Sequence, residues 1–299
     1  LGFFGILILV FFSGPKVVEP NLNQEVPSVP ENLFELNNWI TARELKIEGI
    51  KDGNASRIKF YDSIPKKTKY SVLYMHGFSA SSEEGAPFHQ KIAKHFKANL
   101  YLPRLFGHGI DNESPLEEFN GDQYIASALE ALEVAKTLGD QVILLGTSNG
   151  GTLSLLLGDD PKVAIIGLYS PNIRIKNQLI GIGTLPWGLE ITTFALGTNY
   201  HLMQDVVSPK EQFWTTRYHI QAITHVQKLI EVAMTPETFE KIKKPVFMGY
   251  YYKDEINQDN VVSVEAMLSM FEQLGTMASQ KEKMAFPKSG NHVMTSYIT

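Results

Sequence analysis

Short apolar runs alternate with amphipathic stretches along most of the chain, and that alternation predicts its elements. Asn32 to Leu45 places Leu33, Leu36, Trp39 and Ile40 on one side of a helix. Arg57 to Tyr61 alternates like a half-buried strand, whereas Ser71 to Met75 is continuously apolar, as a parallel strand buried on both faces would be. Helices are predicted over Pro87 to Phe96, Asp122 to Leu138 and Asn149 to Leu157. Strands are predicted over Ala98 to Leu102, Val142 to Leu145 and Val163 to Tyr169. This alternation predicts an α/β class with a mostly parallel central sheet flanked by helices.

The pattern breaks at Pro171. From 172 to 244 the sequence is strand-poor, with helices expected around Leu185 to Leu196, Pro209 to Leu229 and Pro236 to Ile242. The sheet pattern returns with a strand at Pro245 to Tyr252, a helix at Val264 to Leu274 and a last strand at Glu282 to Phe286. A mostly helical insert between two strands of one sheet reads as a lid.

The first residues are apolar without a break from Gly2 to Phe12. That run is shorter than the roughly twenty residues a bilayer span needs. The chain opens on Leu1 instead of methionine, which leads to the expectation that its true start is missing. Residues 1–14 then read as the end of a signal peptide or, since no small-x-small cleavage site follows, an N-terminal membrane anchor. The alternative is an apolar strand in the core. Pro15, Pro20, Pro27 and Pro30 space a polar, extended linker over 15–31, and the folded body is expected over 32–299. The expected location is membrane-anchored or exported, with a soluble catalytic body.

Composition narrows the chemistry. A net charge of −5 and the absence of any basic run argue against nucleic acid as a partner. With no cysteine, disulfides, thiolate metal sites and a cysteine nucleophile are excluded.

The informative stretch is Gly146-Thr147-Ser148-Asn149-Gly150, a serine fenced by glycines between a predicted strand and a predicted helix. Small residues suit the sharp turn of a nucleophile elbow, with the serine at its tip. A serine hydroxyl needs a base, and the base needs an orienting carboxylate, in the chain order serine, acid, histidine. His76, His89, His95 and His108 precede the serine and fail that order. His201, His219 and His225 lie in the insert. His292 follows the last strand in a turn-rich loop and is the candidate base. For the acid, Asp254, Glu255 and Asp259 compete after the strand ending at Tyr252. Asp259 is favoured because Ser263 just beyond it suits a helix N-cap that would anchor the loop. An oxyanion hole would take one N–H from Asn149 and a second from Phe78, where Gly77 permits a close backbone approach. His76 reads as a hydrogen-bonded loop residue.

Five segments, LYMHGFSAS (73–81), LPRLFGHG (102–109), LLGTSNGG (144–151), DNVVS (259–263) and GNH (290–292), resemble the α/β-hydrolases. Within that superfamily they are similar to the monoacylglycerol-lipase and carboxylesterase-like serine hydrolases. The resemblance implies Arg104 and His108 as supports of the Gly-His-Gly loop. It also implies a helical cap over an acyl pocket, with Trp187, Phe194, Trp214 and Tyr218 as candidates to line that pocket or to form the cap's own core. In the family a helix follows the histidine, whereas this sequence ends at Thr299, so truncation is expected at both ends.

The expectation is a serine hydrolase that cleaves lipid-like or medium-chain carboxylic esters through an acyl-enzyme on Ser148, with no metal or organic cofactor. A small-molecule acyl ester is the expected partner, and a membrane tether is expected at the N-terminus. Serine at the elbow argues against the aspartyl-nucleophile chemistries of the same fold. A peptidase, an acyltransferase or a non-catalytic ligand-binding homologue are the rival readings.

Overall fold

The computed structural model describes residues 2–204, 206 and 208–299; Leu1, the first residue of the expected anchor segment, lies outside the described residues. Nine strands and ten helices run along the described chain. They begin with α1 (Gly2–Phe12), α2 (Leu33–Glu44), β1 (Arg57–Lys59), β2 (Thr68–Met75), α3 (Phe88–Phe96), β3 (Asn99–Leu102), α4 (Gly121–Leu138), β4 (Gly139–Thr147), α5 (Asn149–Leu157) and β5 (Val163–Tyr169). There follow α6 (Gly188–Leu196), β6 (Tyr200–Leu202), α7 (Lys210–Phe213), β7 (Arg217–His219), α8 (Ile220–Ala233), α9 (Pro236–Lys241), β8 (Val246–Tyr250), α10 (Val264–Gln273) and β9 (Lys281–Ala285).

Seven strands form one sheet in the order β1-β3-β2-β4-β5-β8-β9. Only β1 is antiparallel to its neighbour; the other pairings are parallel. The continuous apolar runs of β2 and β4 are buried on both faces, and successive side chains serve opposite layers. Leu73, Met75 and Leu144 enter the larger core with α4, α8 and α10, while Val72, Tyr74, Ile143 and Leu145 enter a second core against α3. Capping explains several helix starts. Asn32 accepts the N–H of Phe34 and Glu35, Asn120 that of Gln123, and Ser263 that of Ala266.

The insert departs from the predicted helices. The single helix expected over Pro209 to Leu229 is divided into α7, an extended stretch, β7 and α8, and β7 pairs with β6 as a small antiparallel hairpin. The break has a tertiary cause. Trp214 bridges to Ala80, Thr215 N–H donates to Ser79 O at 2.6 Å, and Thr216 O accepts Met203 N–H. Those partners take the backbone groups that a helix would have used internally, and β-branched Thr215 and Thr216 favour extension.

α1 is a helix, so the alternative of a core strand is set aside. Among the described residues no helix is long and apolar enough to cross a membrane. The segment after α1 runs along the protein: Asn21 N–H donates to Asp122 Oδ1 at 2.7 Å, and Pro20 packs against Gly121.

Candidate active site

The elbow sits where β4 ends and α5 begins. Ser148 has φ 54° and ψ −121°, a conformation that costs a non-glycine residue on the order of 1–3 kcal/mol. The surroundings hold it there: Ser148 N–H donates to Tyr169 O at 3.0 Å, and Ser148 O accepts the N–H of Gly151 and Asn172. The flanking glycines are required by space. A Cβ on Gly146 would lie 2.3 Å from Gly150 O, and one on Gly150 would lie 1.9 Å from Met75 O. β4 and β2 therefore approach the α5 start too closely for any side chain at those two positions. The N-terminus of α5 presents unpaired amides and the positive end of its dipole beside Ser148.

His292 follows β9, and its Nδ1 lies 2.6 Å from Asp259 Oδ2. Asp259 is fully buried, and its other oxygen accepts Val261 and Val262 N–H at 2.9 and 3.0 Å. Burial pushes the Asp259 carboxyl up, but the neighbouring His292 and the two amides outweigh it, so the net pKa falls below the ordinary value. The opposite ring nitrogen, His292 Nε2, is buried and without a hydrogen-bond partner among the described residues. Ser148 and His292 are each only 8% exposed. The rival carboxylates are committed elsewhere: Asp254 closes a surface turn onto Ile256 and Asn257, and Glu255 accepts from Tyr252 and Gln258.

The loop after β2 packs against the elbow. A Cβ on Gly77 would lie 3.0 Å from Ser148 Cβ. Among the described residues the N–H groups of Phe78 and Asn149 have no hydrogen-bond acceptor. The Asn149 side chain is fixed by Asn172, whose Nδ2 donates to its Oδ1 at 3.0 Å. His76 accepts Leu105 N–H through Nε2 while Nδ1 meets Gly77 O at 2.9 Å, and burial lowers its pKa to about 4. It is a neutral strut between two loops. Arg104 makes a two-pronged pair with Glu44 and donates to His108 O, tying the Gly-His-Gly loop to α2. Burial also pushes His108 well down. In the insert, the His201 ring lies tilted 4.9 Å from that of Tyr218, and His219 caps α8.

Of the four aromatic residues expected at a pocket, two lie beside the site. Tyr218 is buried with its ring 5.1 Å from that of Phe78, and Trp214 packs with Ala80 and Val293, next to His292. The other two make different contacts. Trp187 is engaged by the N-terminal segment, with Nε1 donating to Val10 O and its backbone N–H to Pro15 O. Phe194 is 89% exposed and lines no buried pocket. Of the cavities of about 900 and 610 Å³, neither has Ser148 in its lining, and the smaller is lined in part by Pro287–Ser289, Met294 and Thr295 of the loop that carries His292.

No protein-family model matches the sequence, and no curated protein sequence matches it. Solved structures do. A member of the metagenome-derived lipolytic pair LipS and LipT is similar with a TM-score of 0.66 at 17% identity, over 82% of this chain and 92% of that one. The monoacylglycerol lipase of Paleococcus ferrophilus is similar with a TM-score of 0.54 at 14% identity, over 79% and 93%. An esterase of Pyrococcus furiosus follows with 0.52 at 15%, over 94% and 92%. The chain has the α/β-hydrolase fold. In this α/β-hydrolase fold the elbow, the Asp259 loop and the His292 loop all leave the same end of parallel strands, β4, β8 and β9. Glu84 and Tyr74, which underlie the Gly77 loop, are not among the candidates the sequence offers. The signal available was the pair of carboxylates in Ser82-Glu83-Glu84-Gly85, directly after His76-Gly77-Phe78.

Proposed function

We propose that the protein is a carboxylic ester hydrolase that works through an acyl-enzyme on Ser148. The observation that carries this reading is the 2.6 Å contact between His292 and buried Asp259, with Nε2 left unpartnered in a fold whose elbow carries a strained serine. His292 Nε2 takes the Ser148 proton as Oγ attacks the ester carbonyl, and Asp259 stabilises the imidazolium at Nδ1. The free amides of Phe78 and Asn149 receive the developing oxyanion. Collapse expels the alcohol, protonated by His292. Water then gives His292 a proton and attacks the acyl-enzyme, and collapse of the second tetrahedral species returns that proton to Ser148 and releases the acid.

The proposed substrates are lipid-like or medium-chain acyl esters, supported by the apolar and aromatic side chains of Phe78, Trp214 and Tyr218 around the site. The similar lipases and esterases are consistent with that class. The proposed location is membrane-anchored or exported: α1 exposes Ile6, Ile8, Leu9 and Phe12, a surface suited to lipid. Hydrolysis of p-nitrophenyl esters from short to long acyl, with Ser148→Ala alongside, tests the activity. Turnover lost in the variant supports the reading. A folded protein inert on every ester overturns it.

A further inference from the structure

The short turn Ser82–Gly85 buries a carboxyl directly behind the proposed oxyanion loop. Glu84 is 1% exposed. Its Oε1 accepts the Gly77 N–H in a short hydrogen bond and lies 3.2 Å from Tyr74 Oη. Tyr74 Oη is in turn 2.9 Å from Thr147 Oγ1, on the residue before the nucleophile. The second carboxyl oxygen, Oε2, would be 3.3 Å from a Cβ on Gly77, the same atom that would stand 3.0 Å from Ser148 Cβ. The Glu84 main chain reaches a third segment: its O accepts Thr295 Oγ1 at 3.3 Å, three residues after His292, and Ala86 O accepts Tyr297 N–H. Glu84 thus joins the oxyanion loop to the histidine loop, and reaches the end of β4 through Tyr74.

We infer that Glu84 is a positioning residue of the acyl-transfer site: its carboxyl takes the Gly77 N–H and so holds the loop with the Phe78 N–H left free for the oxyanion. This rests on the acyl-transfer reading above and deepens it. A Gly77 N–H without this acceptor would be a buried, unpaired donor and would turn the loop to satisfy itself.

The carboxyl is suited to this post as the neutral acid. Burial raises its pKa to about 8, against the opposing hydrogen bonds from Gly77 and Tyr74. Ionised, it would put a negative charge beside the place where the oxyanion develops and oppose the reaction. Four of the titratable groups packed around it are moved away from this range. Tyr74 on β2 and Tyr124 on α4 both feel its charge and are pushed well up, chiefly by burial. His89 on α3, against the Tyr74 ring, and His76 are each lowered to about 4 by burial. Glu83 pairs with Arg57, and His292 stands on the loop that Thr295 ties to Glu84.

The test uses the full chain as wild type, Glu84→Gln and Glu84→Ala, with Ser148→Ala as blank. The rate of Ser148 labelling by a fluorophosphonate is followed from about pH 6 to about pH 10, beside p-nitrophenyl acetate turnover and thermal denaturation at each pH. Wild-type labelling is expected to fall on an alkaline limb near pH 8. Glu84→Gln, which keeps an acceptor for Gly77 but cannot ionise, is expected to lack that limb and to label within about threefold of wild type at low pH. Glu84→Ala is expected to label about 100-fold more slowly at every pH while still folded. An unchanged alkaline limb in Glu84→Gln, or wild-type labelling rates in folded Glu84→Ala, overturns the inference. If the alanine variant fails to fold, the glutamine variant's pH profile decides. Labelling without ester turnover overturns the ester reading alone, and a wild-type protein that no fluorophosphonate labels overturns both.

Discussion

His292 and Asp259 stand 33 positions apart in sequence and meet at 2.6 Å, Nδ1 to Oδ2, inside a loop cluster that leaves the other imidazole nitrogen buried and unpaired. A buried imidazole held at one edge by a carboxylate is fixed in tautomer and orientation. That arrangement has little purpose in packing, since it strands a polar atom. It makes chemical sense when a serine proton is to be taken at the stranded atom.

Replacing Asp259 by Asn should therefore lower kcat by about 10⁴ with little change in KM, because the amide favours the wrong imidazole tautomer. Asp254→Asn, on a surface turn, should stay within about twofold of wild type. Steady-state kinetics on a p-nitrophenyl ester for both variants checks the assignment of the acid.

The same pair sets an acid limit to stability. Asp259 titrates below its ordinary value in the folded protein, so its contribution is full above the unfolded value near 3.8 and is lost as pH falls through the lowered folded value. Thermal midpoints of wild type and Asp259→Asn, followed from neutral pH to about pH 2, should differ most at the upper end and converge in acid. A gap that widens in acid would contradict the assignment.

Gly150→Ala should be among the most damaging single-methyl changes in the chain. Its Cβ would sit 1.9 Å from Met75 O, a backbone atom on a central strand that has no room to move. Overpacking of this kind costs about 1–3 kcal/mol, and here the upper end is expected. A thermal midpoint lowered by roughly 2–4 °C for each kcal/mol reads it out.

Arg104 and Glu44 form a largely buried pair that also holds His108 O. Removing one partner leaves an uncompensated charge, so Arg104→Ala should cost about 3–5 kcal/mol in denaturant unfolding. The double variant with Glu44→Ala should cost less than the sum of the singles.

Trp187 fastens the N-terminal segment to the insert. Trp187→Phe removes the indole donor to Val10 O, and limited proteolysis should then cut near Ser13 to Lys16 earlier than in wild type. Equal cutting rates would show that the segment does not depend on this contact.

Much of this was legible in the sequence because it depends on short-range rules. Buried parallel strands must be apolar on both faces, so β2, β4 and β5 stand out as runs, and Ser263 marks a helix start as a local hydrogen-bonding group. The elbow was legible for the same reason: steric exclusion at Gly146 and Gly150 is written as glycine, and the strained turn between them as a single serine. The chain order of serine, acid and histidine follows from connectivity.

What the sequence by itself determined, then, was the alternation of layers, the elbow and the histidine. Only the tertiary structure decided the rest, because it depends on partners distant in the chain. Asp259, already favoured by the Ser263 cap, meets His292 only because the fold brings that loop in from beyond β9. The helix expected through Trp214 was broken by Ser79 and Ala80, which take its backbone groups from more than 130 residues upstream. Trp187 went to the N-terminal segment, and Phe194, on the outer side of α6, went to the outside. Glu84 gave the least local sign of all. Its role exists only because the fold closes water away from a carboxyl and sets Gly77, Tyr74 and Thr295 around it.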